Sequence, residues 1–196
     1  MKRLLALLLV ASASPAFSQG FESALVAGYT TPGGLEPKAA GIRDLRLVGS
    51  FTWGASVAYF FSPRFGIEGS WARQQSGLEI GTADGRARMF DVDIDQFHGS
   101  FAWQLAHTQS PIRPFLAAGI GASLLSAPAL PRETKLSFSV ASGVKWMPSP
   151  KTGARLQMRY TPIRLDDSQS DFCDPFGFCQ DWLHQIELTG GILVRF

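Results

Sequence analysis

The chain has only two cysteines and three histidines, and past its first eighteen residues it contains no long apolar run. A membrane helix needs about 20 consecutive apolar residues, so helical spans are excluded. Zinc is excluded as well, because Cys173 and Cys179 sit in one polar, Pro/Gly-containing stretch with too few further ligands nearby. The pair reads instead as a local disulfide formed in an oxidising compartment. A basic surplus is also missing. The formal charge of +2 is carried by Lys2 and Arg3, and without residues 1–18 the remaining basic residues equal the 16 acidic ones in number. Such a chain offers no electrostatic reason for a nucleic-acid partner. Disorder is excluded by an aromatic content of 12%.

The N-terminus has the three parts of a secretory signal peptide. Lys2 and Arg3 precede an apolar run from Leu4 to Val10, and the small residues Ala16 and Ser18 lie three and one positions before a cut ahead of Gln19. Residues 1–18 are therefore expected to be removed, leaving residues 19–196 as one domain.

What recurs along that domain is alternation. Phe51, Trp53, Val57 and Tyr59 share one parity, while Thr52, Gly54, Ser56 and Ala58 share the other. The pattern returns from Phe65 to Trp71, from Phe97 to Leu105, from Leu116 to Leu124, from Leu136 to Trp146, from Ala154 to Tyr160, and from His184 to Phe196. A weaker first strand over Phe21 to Thr30 brings the total to eight.

Alternation alone also fits a soluble sandwich or lipocalin-like barrel, so the composition of the two faces decides. In a soluble barrel the bulky residues point inward and the charges outward. Here Glu68, Lys145, Arg155, Arg159, Glu187 and Arg195 share their face with Ser, Gly and Ala, whereas all five tryptophans lie on the aliphatic face. Small residues suit the cramped interior of an eight-stranded barrel, where charges of both signs can pair. Tryptophans near strand ends suit the aromatic belts of a membrane surface. The expected fold is an all-β, eight-stranded antiparallel up-and-down transmembrane barrel.

Connection lengths agree with that expectation. Long connections are expected from Thr31 to Asp44, Ser76 to Arg88, Ser126 to Thr134 and Leu165 to Asp181, alternating with short ones at Ser62 to Arg64, His107 to Arg113 and Met147 to Thr152. Both termini then lie on the periplasmic side. Phe90, Val92 and Ile94 are out of phase with Phe97, Phe101 and Trp103, which reads as a bulge or as strand extension above the lipid.

The final strand ends in Thr189, Gly191, Val194 and Phe196, spaced as a polar residue, a glycine, a hydrophobic residue and a terminal aromatic. This pattern resembles the assembly signal of outer-membrane proteins. The domain as a whole is similar to the small outer-membrane β-barrel family that includes opacity-type surface proteins, OmpX and the membrane domain of OmpA. The resemblance implies a non-enzymatic surface role, insertion by the general assembly machinery, and contact with outer-membrane lipid and lipopolysaccharide.

The remaining candidates are weaker. His98 and Ser100 are spaced as a base and nucleophile could be, and lipid A deacylating barrels carry such a pair. By parity, however, both point inward, away from a lipid substrate. His184 faces outward near an interface, His107 lies in a short turn, and Glu68 and Glu187 read as partners for interior cations rather than an acid/base pair. The stretch from Leu165 to Asp181 holds Asp166, Asp167, Asp171, Asp174 and Asp181 with Phe172, Phe176 and Phe178 among them and no basic residue. It reads as a solvated loop, or as a contact surface for an extracellular ligand or a site for a divalent cation near lipopolysaccharide phosphates, although its spacing does not match an EF-hand. No cofactor, metal or catalytic residue is expected. The preferred function is a structural or interaction role carried by the outer loops. A narrow conduit for small or hydrophobic molecules comes second, and a lipid-modifying enzyme third.

Overall fold

The computed structural model describes residues 20–32, 44–82, 85–106, 110–127, 130–165 and 182–196. Nine strands follow one another: β1 (Phe21–Pro32), β2 (Asp44–Leu47), β3 (Ser50–Phe60), β4 (Phe65–Thr82), β5 (Gly85–Gln104), β6 (Ile112–Ala127), β7 (Leu130–Trp146), β8 (Thr152–Arg164) and β9 (Trp182–Arg195). Both β2 and β3 pair with β4, so they are two lengths of one stave interrupted at Val48–Gly49, and the barrel has eight staves. Each stave is antiparallel to its sequence neighbour, and β1 pairs with β9 to close the ring.

The register sets the shape. From Gly143, successive partners are Gln157, Thr189, Gly28, Thr52, Gln74, Ile94 and Leu125, and the last of these pairs with Glu133. One circuit therefore returns to β7 ten residues from its start, a stagger that tilts eight strands by about 40° and leaves room inside only for side chains.

Alternation does the rest, since successive side chains on a strand point to opposite faces. The outer face is apolar and bare, with Leu25 71% and Ile192 70% exposed. The inner face is polar and closed, with Thr52, Gln104, Lys145, Thr161 and Gln185 almost fully buried. Apolar burial amounts to scraps such as Ala24, Met147 and Leu193 at one end and Ile163 with Leu183 at the other. A water-soluble fold buries its large apolar side chains, whereas this one places them on the outside, where only a hydrocarbon surrounding favours them.

Two expectations are corrected. Residues 76–88 and 126–134 are not long loops: β4 runs to Thr82 and β5 starts at Gly85, and likewise β6 runs to Ala127 and β7 starts at Leu130. The polar and small residues there look like turn formers, yet they run as paired strand, β4 with β5 and β6 with β7. The phase reversal between Ile94 and Phe97 is no bulge: burial alternates unbroken from Asp91 to Gln104, with Val92 and Ile94 pointing inward, 3% and 0% exposed, so the interior itself turns apolar at this level. A bulge does lie just before this stretch on the same strand, at Met89, where Leu78 pairs with Phe90 and Glu79 with Arg88, and β5 extends on to Gly85.

Candidate functional site

The turns 61–64 and 147–151 define the lower end of the barrel, where both termini of the described chain also lie, and the β4–β5 and β6–β7 hairpins with the connections 33–43 and 165–181 define the upper end. Just inside the lower mouth, Lys145 from β7 forms an ion pair with Glu22 from β1. The ammonium also stands 4.5 Å from the centre of the Phe60 ring and 5.4 Å from that of Phe115. Deeper in, Arg155 grips Glu68 with two donors at 2.6 and 2.9 Å, gives its Nε–H to Gln157 at 3.0 Å, and lies 4.4 Å over the centre of the Phe115 ring. A fork-to-fork pair of this kind fixes direction as well as distance. Gly143 makes room for the Phe115 ring, because a Cβ there would come within 2.7 Å of it.

Above this plug the lining thins to Ser, Ala and Gly. Arg159 stands directly opposite Glu187 in the β8–β9 register, and both are buried. His98 Nε2 and Ser137 Oγ are 3.0 Å apart, and the Ser100 and Ser139 hydroxyls are 3.5 Å apart. Higher still, Gln96 donates to Gln185 across the bore. The upper end is sealed by Val92, Ile94, Leu125, Ile163 and Leu183, each at most 4% exposed.

Of the interior charges named from the sequence, Glu68, Lys145, Arg155, Arg159 and Glu187 are buried, and Arg195 is half-buried beside the lower mouth. Two partners were missed. Glu22 and Arg113 are 3% and 5% exposed. The parity of strand one, with Leu25 and Tyr29 opposite Glu22, could have revealed the first. Arg113 had been placed in a turn, whereas it lies on β6 and donates to the Ser110 carbonyl at 2.9 Å. His98 and Ser100 do point inward, and the histidine's neighbour is Ser137 rather than Ser100.

On the outside, rings gather near both ends. Phe65 lies 6.3 Å from Trp103 and Phe21 5.0 Å from Tyr59 below, while Trp53 meets Trp71 edge-on at 4.9 Å above. Beyond the upper ring, the Trp71 indole donates to Asp95 at 3.2 Å and Arg73 pairs with Asp93 at 3.0 Å. His184 stacks on Tyr160 with the ring nitrogen 2.7 Å from the phenol oxygen. Thr189 points inward, Gly191 lies half-buried next to β1, and Val194 and Phe196 sit at the lower rim, where the Phe196 amide donates to the Phe21 carbonyl. Cys173, Cys179, the aspartates and phenylalanines around them, His107 and residues 1–18 lie outside the described residues. Among the described residues no group of acidic, histidine or cysteine side chains is placed to hold a metal ion.

Comparison with known proteins agrees with this geometry. The profile of the family described as outer membrane protein beta-barrel domain matches residues 4–178. Among solved structures, Neisserial surface protein A superposes with a TM-score of 0.64 at 16% identity, over 91% of this chain and 99% of that one. The outer membrane protein OprG from Pseudomonas aeruginosa gives 0.62 at 11% identity, over 91% and 97%. AlkL, an outer membrane protein determined in lipid bilayers, gives 0.50 at 16% identity, over 94% and 92%. At these identities the likeness speaks to the fold alone. No curated protein sequence is significantly similar to the chain.

Proposed function

The chain belongs to the outer membrane protein β-barrel family and resides in a Gram-negative-type outer membrane, and from that premise we propose that it is a surface protein whose barrel is a rigid, non-catalytic pedestal for its extracellular connections. The observation that carries this reading is the double seal of the bore. Lys145, Glu22, Arg155 and Glu68, packed on Phe60 and Phe115, fill one end, and the apolar residues around Ile94 and Ile163 fill the other. A conduit needs a continuous wettable path, and the Glu22–Lys145 and Glu68–Arg155 pairs stand across the lower part of this one. A hydrolytic role finds little support, because His98 is buried, engaged with Ser137 and directed away from lipid.

What the pedestal presents is the upper end, where the hairpins β4–β5 and β6–β7 continue past the aromatic ring and where the acidic stretch 166–181 is attached. Binding residues concentrate on connections held by a rigid scaffold. The test pairs a measurement on refolded protein with one on cells. Planar-bilayer recordings should show no steady single-channel conductance, and replacing the stretch 166–181 by a short Gly/Ser linker should abolish binding of whole cells to their extracellular target while leaving the barrel folded. Steady conductance from the intact protein would overturn the pedestal in favour of a conduit.

A further inference from the structure

We propose that the lower mouth of the barrel binds a phosphate-type oxyanion from the periplasmic water, with Arg113 as its principal ligand. Arg113 on β6, Lys145 on β7 and Arg155 on β8 are direct partners in the register of three consecutive staves, and all three are buried. The stagger of the ring lifts each successive stave, so this row climbs from Arg113 nearest the opening to Arg155 deeper in. Like charges side by side across a sheet repel, and each needs a counter-charge to stay in a space with little water.

The chain supplies two counter-charges for the three cations. Glu22 answers Lys145 and Glu68 answers Arg155. No other acidic residue lies in the lowest third of any strand, and the turns 61–64, 105–111 and 147–151 contain none. Arg113 is left with uncharged partners. Its Nε donates to the Ser110 carbonyl at 2.9 Å, and its Nη1 is buried without a hydrogen-bond partner among the described residues. Arg195, half-buried at the rim, adds a like charge close by, and the Glu22 carboxylate that also attracts Arg113 is committed to Lys145.

A guanidinium that is 5% exposed and short of an acceptor selects an oxyanion, whose several oxygens fit its forked N–H groups. Because Arg113 faces the bore, it is turned away from the lipid, and its ligand arrives through the mouth. An ion reaches it there without passing the Lys145 and Arg155 pairs. Around the opening Arg64 and Lys151 are exposed on turns that hold no acid, which raises the local concentration of anions.

The test is calorimetric titration of the barrel, refolded in a maltoside detergent, with inorganic phosphate at constant ionic strength. Wild type should bind saturably, and Arg113→Gln should bind at least about tenfold more weakly, the effect of losing a charge-assisted hydrogen bond. Arg73→Gln, which removes a cation from the upper outer wall, should bind as wild type. Equal binding by wild type and Arg113→Gln would overturn the site. Folding is checked in phosphate-free buffer, where Arg113→Gln should keep the urea midpoint of wild type while Arg155→Gln lowers it. A fall as large in both variants would show that the protein itself completes the partners of Arg113, and would also overturn the site. In a parallel arm the micelles carry phosphatidylglycerol, which should not compete with free phosphate. Competition would assign these cations to lipid headgroups and overturn a ligand taken from water.

Discussion

Glu22 and Lys145 stand 123 positions apart in the chain and meet as an ion pair with both side chains at most 3% exposed. Neither charge has water to fall back on. Removing one partner leaves the other as an unpaired buried ion, which costs about 3–5 kcal/mol. Glu22→Gln should therefore lower stability in urea unfolding by that order. Arg73→Gln breaks a pair that is 37% and 35% exposed, and should cost at most about 1 kcal/mol. Equal effects of the two substitutions would mean that the lower mouth is hydrated.

Glu68 and Arg155 offer a sharper measurement, because their bidentate geometry makes them a coupled unit. A double-mutant cycle with Glu68→Gln and Arg155→Gln should give a coupling energy near the upper end of the ~0.5–3 kcal/mol seen for residues in direct contact. Additive effects would show that each side chain finds another partner when its mate is lost.

Glu187 faces Arg159 across β8 and β9 in the middle of the bore. Glu187→Gln should destabilise the barrel by more than Asp171→Asn does, since the aspartate belongs to a polar connection where charge pairs contribute about 0–1 kcal/mol. Two equally mild outcomes would remove Glu187 from the interior network.

The alternating pattern was enough to read the staves, their inner and outer faces and five of the buried charges, because a period of two is imposed by the backbone itself and shows in any strand with unlike faces. It failed where the faces stop being unlike. Ser76 to Arg88 offers no apolar contrast between its two parities and so reads as loop, although it is paired strand in the β4–β5 hairpin. Val92 and Ile94 failed for the opposite reason: there the inner face turns apolar like the outer one, and their correct inward phase looked like an error. Partner choice in the interior was not legible, since Glu22 meets Lys145 only through the ten-residue stagger of the closed ring.

That upper seal can be tested by itself. Ile94→Ala leaves a void among fully buried side chains and should cost about 2–5 kcal/mol, the usual range for such truncations. The lower plug is untouched, so bilayer recordings of this variant should still show no steady current. A current appearing on Ile94→Ala alone would mean that the charged plug does not block ions.

Phe196 is proposed to be read during insertion as well as to sit at the lower rim, where its amide donates to Phe21. Deleting it should reduce the heat-modifiable, folded form in cells far more than it reduces refolding into detergent micelles. Matching losses in the two assays would assign Phe196 an ordinary packing role.

The pairing of β1 with β9 also constrains how the molecule comes into being. It joins Glu22 to Arg195 and Leu25 to Ile192, partners separated by almost the whole described chain. Every other hairpin can form locally and early, yet until this seam zips the sheet keeps two raw edges, a state that lipid cannot satisfy and that a neighbouring chain could. Formation must therefore be slow and nearly all-or-none, as expected when the decisive contacts are the most distant in sequence. Until β9 meets β1, the sheet is in the form most open to pairing with a neighbouring chain.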